Sequence, residues 1–173
     1  MKRSEINADL RRTAEGDEKA FERLYEQTKG GVYSFAYSYL KNREDAEDAV
    51  QTVFLKIKQN ISSFVDCGNG LAWMLEITKN VALNELRKRK ISERNLPEKS
   101  EAVSFDDYES EGVVTAAMRK VLTDEEQRII ILHVIWGYKH REIADIMQMP
   151  TGSVTSKYKR AADKIKTYLK KEA

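Results

Sequence analysis

Between Ile91 and Gly112 the chain carries seven acids (Glu93, Glu98, Glu101, Asp106, Asp107, Glu109 and Glu111) against only Arg94 and Lys99. This tract also holds Pro97 and several serines, and it has no sustained helical periodicity. A stretch of that kind cannot bury enough apolar surface to offset the entropy of ordering, so it reads as a linker. It follows the four-cation block Arg87-Lys88-Arg89-Lys90, and a second basic tract, with seven lysines or arginines against one aspartate, runs from Thr151 to Lys171. Basic, acidic and basic blocks in sequence divide the 173 residues into two helical domains, 1–90 and 113–173, joined by a flexible acidic linker over 91–112.

Both halves read as helical, and the expected fold class is all-α. Only two prolines occur in the whole chain, and no run alternates in the manner of a strand. Asp17 can cap a helix whose apolar positions Phe21, Leu24, Tyr25, Val32, Phe35, Ala36, Tyr39 and Leu40 recur at three- and four-residue steps. Gly30-Gly31 is expected to break or kink it, since glycine in a helix interior costs roughly 1 kcal/mol relative to alanine. Asn42 can cap the next helix, with the stripe Ala46, Val50, Val53, Phe54, Ile57 and Ile61. A third helix is expected from about Leu71 to Lys90.

Two polar surfaces stand out in this half. Glu44, Asp45, Glu47 and Asp48 crowd the first turns of the second helix, with Gln51 and Thr52 a turn later. The helix dipole favours acids there, and a docking patch for a basic partner would look the same. On the third helix Trp73, Ile77, Asn80, Asn84 and Arg87 fall on one stripe, followed by Lys88. Amides both donate and accept, and cations replace condensed counterions, so such a stripe suits nucleic acid. Core packing for Trp73 and Ile77, with the asparagines solvated, is the alternative.

The second half is more specific. Thr123 and Glu126 fit a capping box opening a helix that runs to Gly137. His133 lies in its apolar stretch as a packed histidine. A short helix from about Lys139 to Met147 buries Ile143, Ala144 and Met147, and the turn Gln148-Met149-Pro150 leads to a last helix buried through Val154, Tyr158, Ala161, Ile165 and Leu169. Short helix, tight turn and longer helix form a helix-turn-helix. The second helix of such a unit enters the major groove N-terminus first and needs small polar residues there. Thr151, Gly152, Ser153, Thr155 and Ser156 meet that need, and Lys157, Lys159 and Arg160 follow where cations can reach backbone or guanine.

"GYKHREIADIMQMPTGSVTSKYKRAADKIKTYL" resembles the fourth region of bacterial sigma factors of the extracytoplasmic-function (ECF) group in the sigma-70 family, and "GDEKAFERLYEQ", "REDAEDAVQTVFLKI" and "AWMLEITKNVALNELRKRK" resemble the second region. The resemblance implies an alternative sigma factor that binds core RNA polymerase and directs it to promoter DNA. It places Glu47, Asp48, Gln51 and Thr52 on the clamp helices of the largest polymerase subunit. Trp73, Asn80, Asn84, Arg87, Lys88 and the loop Phe64 to Gly70 fall on the minus-10 element, and the recognition helix on the minus-35 element. Thr52 stands where an acid is common in the family, Asn84 where aspartate is, and Thr155 where lysine or arginine is. The resemblance also implies an anti-sigma partner, as many relatives have. The linker is either a polyanion lying in a nucleic-acid channel of the polymerase or a solvated spacer.

A stand-alone helix-turn-helix repressor would use the same second half, but it would need a dimer interface, and no spare apolar helix supplies one. No stable homo-oligomer is therefore expected. An enzyme is not expected either: no nucleophile–base pair or phosphate-cradling glycine loop occurs. Cys67, His133 and His140 make no metal cluster, and no cofactor is implied. No apolar run is long enough to span a bilayer and the N-terminus lacks a signal-peptide core, so the expected location is the cytoplasm.

Overall fold

The computed structural model describes residues 3–64, 69–94 and 113–172. Cys67 and most of the expected linker, 95–112, lie outside the described residues, as do 65–68 of the loop before the third expected helix. The chain divides into two compact units, Met1–Lys90 and Ile91–Ala173. The described residues are helical, with no strand among them.

In the first unit α1 spans Arg3–Ala14, α2 Glu18–Leu40, α3 Arg43–Asn60 and α4 Gly70–Arg94, with a 3-10 turn at Ile61–Ser63. Local chemistry sets most boundaries. Gly16 closes α1 at φ +91, a left-handed conformation that glycine adopts without a Cβ penalty, and the Asp17 carboxylate accepts the Ala20 N–H at 3.1 Å to open α2. Asn42 opens α3 in the same way, its Oδ1 accepting the Asp45 N–H at 3.0 Å. Leu24, Val32, Phe35 and Ala36 of α2 are buried with Ala46, Val53, Phe54 and Ile57 of α3, and the Phe21 and Tyr25 rings meet Phe54 edge-on.

One sequence expectation fails here, and two elements go beyond what the sequence pattern indicates. The break at Gly30-Gly31 does not occur: α2 runs unbroken from Glu18 to Leu40. Thr28, Gly31, Val32 and Phe35 are all buried, so the packing of this stretch outweighs the glycine penalty. Helix α1, for which no expectation was formed, is a core element. Ile6 and Leu10 are fully buried, and Asp9 receives Arg23 of α2 through Nε at 3.1 Å and Nη2 at 2.8 Å. The start of α4 is locked onto it, since the Gly70 N–H donates to Asn7 Oδ1 at 2.8 Å and a Cβ at Gly70 would lie 2.3 Å from Leu10 Cδ1. The fourth helix also reaches Arg94, four residues past the boundary expected at Lys90.

In the second unit α5 spans Val113–Val121, α6 Asp124–Ile130, α7 His140–Met147 and α8 Thr151–Glu172. Helix α5 is a further element without a sequence expectation. The capping box of α6 is present: Thr123 Oγ1 accepts the Glu126 N–H and Glu126 Oε2 accepts the Thr123 N–H. The helix expected to continue to Gly137 widens into a π-turn at Ile131–Ile135, where the Trp136 N–H donates to the Ile131 carbonyl at 3.1 Å. Gly137 then closes it at φ +70, with the Tyr138 N–H on the Leu132 carbonyl at 3.0 Å. Helix α8 packs on α5, α6 and α7. Val154 and Ala161 are fully buried, and Tyr158 and Ile165 are half-buried against Leu122, Ile130, Met118 and Val121. Ile143 and Ala144 are buried as expected, whereas Met147 is half-buried.

Candidate nucleic-acid interface

The helix-turn-helix is assembled from backbone bonds at its turn. Glu142 Oε2 accepts the Lys139 N–H at 2.7 Å and fixes the start of α7. Gln148 ends that helix in the left-handed region at φ 52, and the Met149 N–H returns to the Ala144 carbonyl at 3.0 Å. The Pro150 carbonyl accepts the N–H groups of Ser153 and Val154, which starts α8. With Val154 and Ala161 turned into the core, Thr151, Gly152, Thr155, Ser156, Lys159 and Arg160 are all exposed on α8, and Ser153 is half-buried. A rim of small hydroxyl-bearing residues followed by cations is what close approach to a groove requires.

Lys157 differs from its neighbours. It is half-buried, and its ammonium lies 2.7 Å from Glu125 Oε2 of α6. Its charge is already compensated within the fold. Two turns further along, Lys164 donates to both Glu126 oxygens, at 2.9 and 2.8 Å. Burial alone would raise the Glu126 carboxyl. The Lys164 ammonium and the Thr123 N–H and hydroxyl outweigh it and hold the group below its usual range.

A ring cluster stands behind the exposed face. His133, His140 and Tyr158 lie in mutual contact, with centroids 4.8, 4.7 and 4.9 Å apart. His133 Nδ1 sits 2.8 Å from the Tyr138 carbonyl and therefore carries a proton to donate. His140 Nδ1 lies 3.1 Å from Thr155 Oγ1, and its Nε2 is buried without a partner. Burial, and then the proximity of His133, lowers the His140 pKa from the ordinary histidine value. Sequence reading left His140 aside; its spacing from Thr155 gives no signal, because the contact depends on how α7 crosses α8.

In the first unit the α4 stripe runs along the border of the core. Met74, Leu75, Thr78, Val81 and Ala82 are buried, Trp73 and Ile77 are half-buried, and Asn80, Asn84, Arg87 and Lys88 are exposed. Trp73 leans on Phe64 with centroids 5.2 Å apart, joining the stripe to the preceding loop. The polar members bond to their own helix: Asn80 to Glu76 at 3.3 Å, Arg87 to Asn84 at 3.1 Å and Lys88 to Glu85 at 3.2 Å. Arg89, from the same cationic block, is bound instead by Asp45 of α3.

On α3, Glu47, Asp48, Gln51 and Thr52 are exposed as their position off the apolar stripe requires, and Glu47 is paired with Arg43 at 2.9 Å. Leu55 shares that face at 57% exposure. Its signal in the sequence is a leucine four residues after Gln51, off the apolar stripe.

The family model for Sigma-70 region 2 matches residues 24–91, and that for Sigma-70, region 4, matches residues 117–165. The ECF RNA polymerase sigma factor SigE of Mycolicibacterium smegmatis is 28% identical over 172 residues, covering 92% of this chain, which spans 66% of the length of that protein. SigW of Bacillus subtilis, another ECF RNA polymerase sigma factor, is 24% identical over 181 residues, covering 95% of this chain and 97% of SigW. Among solved structures, the sigma factor RpoE in complex with the anti-sigma factor NepR from Bartonella quintana is similar with a TM-score of 0.64 at 25% identity, over 88% of this chain and 98% of that one. Sigma factors are regulatory, non-enzymatic proteins. Two family matches in the order region 2 then region 4, with relatives that cover 92 and 95% of this chain, leave the stand-alone repressor unfavoured: the chain belongs to the sigma-70 family as an ECF-type alternative sigma factor, acting on core RNA polymerase and promoter DNA.

Proposed function

We propose that the two units divide the work of promoter recognition. The first, 1–90, docks on the clamp helices of the largest polymerase subunit through Glu47, Asp48, Gln51 and Thr52, and acts on the minus-10 element through Trp73, Asn80, Asn84, Arg87 and Lys88. The second, 113–173, reads the minus-35 element as duplex through Thr151, Gly152, Ser153, Thr155, Ser156, Lys157, Lys159 and Arg160. The segment 91–112 tethers them. The observation that carries this reading is the exposed hydroxyl and cation face of α8, held by a helix-turn-helix whose apolar side is buried in the second unit.

The docking surface gains an apolar member in Leu55, whose exposure among acids and amides suits a basic partner with an apolar contact at its centre. No described helix is long and apolar enough to cross a membrane, and a cytoplasmic place of action fits this reading. An anti-sigma partner belongs to it as well, since the similar RpoE structure holds one.

Docking is tested by pull-down with core polymerase. Asp48→Lys combined with Gln51→Ala should weaken association about tenfold or more without loss of helix content, because both side chains lie off the apolar stripe. Full retention of affinity would remove this surface from the contact.

A further inference from the structure

The hydroxyl of Thr155 is already engaged on the protein side of the recognition helix. Its oxygen lies 3.0 Å from the Thr151 carbonyl and 3.1 Å from His140 Nδ1. A threonine hydroxyl has one hydrogen to donate and two lone pairs to accept with. If His140 carries its proton on Nδ1, it donates to Thr155, and the threonine hydrogen goes to the Thr151 carbonyl. If Nδ1 is bare, the threonine hydrogen goes to Nδ1. In both tautomers the single hydrogen is spent inside the protein.

We infer that His140 is a positioning residue for promoter specificity: by engaging Thr155 from α7, it leaves that side chain a lone pair and a methyl group with which to meet a base. The inference rests on the reading of α8 as the minus-35 recognition helix and adds a chemical rule to it. In the major groove guanine presents the acceptors N7 and O6, which a side chain without a free hydrogen cannot satisfy. Adenine N6 and cytosine N4 present donors that a lone pair can accept, and thymine presents a methyl group for apolar contact. Thr155 therefore selects against guanine on the strand it faces.

The site is built to keep His140 in this role. Its ring is held between His133 and Tyr158, and its Nε2 is buried with no acceptor within reach. A proton on Nε2, in the imidazolium or in the Nε2–H tautomer, would be an unsatisfied buried donor beside a second imidazole. Such a donor is costly, so the stable form is the neutral ring with its proton on Nδ1, which donates to Thr155. His133 in turn is anchored on the Tyr138 carbonyl. The contact chain thus runs from the end of the π-turn through two rings to the exposed face of α8.

The test uses the full-length chain bound to core RNA polymerase, selecting from a pool of duplex promoters randomised across the minus-35 segment. The native protein should disfavour guanine on one strand at one position. His140→Phe, which keeps a ring between His133 and Tyr158, should relax that bias roughly two- to tenfold, the worth of one hydrogen bond, and leave the other positions unchanged. In a Thr155→Val background, which keeps the branched shape without the hydroxyl, His140→Phe should have no further effect on that position. Should His140→Phe not fold, Thr155→Val alone still reports, since it should lower selection of adenine or cytosine there while sparing thymine. An unchanged base bias in His140→Phe, or the same change with and without the Thr155 hydroxyl, would overturn the inference and leave His140 as packing. Selection of no minus-35 sequence by the native protein would instead overturn the reading of α8 itself, and the inference with it.

Discussion

The exposed polar faces of α4 and α8 are built on opposite principles. On α4 the exposed Asn80, Asn84, Arg87 and Lys88 bond to neighbours one turn away on the same helix, and of the cationic block Arg89 is the member tied to α3, through Asp45. On α8 the polar residues are tied across the fold, Thr155 to His140 of α7, Lys157 to Glu125 and Lys164 to Glu126 of α6. Contacts within one helix survive small shifts of its neighbours, whereas contacts across helices transmit them. Substitutions on α6 and α7 should therefore change what α8 presents, while Asn80, Asn84, Arg87 and Lys88 of α4 should be sensitive chiefly to residues of their own helix.

The largest effect expected from that contrast is at Glu126, which caps α6, receives Lys164 and is nearly buried. Glu126→Ala removes the cap partner and the cross-helix bond together and should destabilise the second unit by about 2 kcal/mol. The Lys164 it leaves behind is 42% exposed and can be rehydrated, which limits the cost. The chain has two tryptophans, Trp73 in the first unit and Trp136 in the second, so Trp73→Phe and Trp136→Phe variants report each unit's unfolding separately. The first unit's transition should not move.

Next in size is the response to pH. Both histidines lie in the second unit. The His140 pKa is lowered on folding, so the unfolded chain binds more protons than the folded one as pH falls through the histidine range near about 6.5. Its contribution to stability is present above that range and lost as pH falls through the lowered folded value. Burial first, and then the neighbouring His133 ring, disfavour the charged form of His140. Stability of the second unit, read by Trp136 emission in urea, should decline across this window, and that of the first should stay flat. Glu126, also lowered, acts in the same direction only at more acid pH, in the carboxylate range.

The smallest effect distinguishes two lysine-like positions on α8. Arg160 is exposed, and if it meets a phosphate, Arg160→Ala should lower the slope of log affinity against log salt by about 0.9. Lys157 is compensated by Glu125, so Lys157→Ala should lower the slope by less. Equal changes would mean that the pair with Glu125 opens on DNA.

What could be read from the sequence was what depends on near neighbours. Asp17, Asn42 and the Thr123–Glu126 box cap their helices as their types and spacings imply, since a cap needs only a side chain and an N–H two or three residues on. Gly30-Gly31 misled because glycine propensity is a local cost and the packing of α2 is a tertiary gain. Helix α1 is short, and its signal is only Ile6, Leu10 and Thr13 on one face, too sparse to stand out before Asp9 and Asn7 show their partners. The candidate faces were legible as lists of residue types. Their internal bonds were not: Arg89 meets Asp45 across 44 residues, and Lys157, a cation in a basic tract, is half-buried on Glu125.

The central claim, that two separate faces of one chain read two separate promoter elements for the polymerase, is tested most directly by one selection. Core RNA polymerase bearing the full-length chain transcribes a pool of templates randomised upstream of the start, and the transcribed templates are sequenced. The account predicts two enriched motifs separated by a fixed spacing. The combined variant Asn80→Ala with Asn84→Ala should blur only the downstream motif, and Ser156→Ala only the upstream one. A single motif, or blurring of both motifs by either variant, would contradict it.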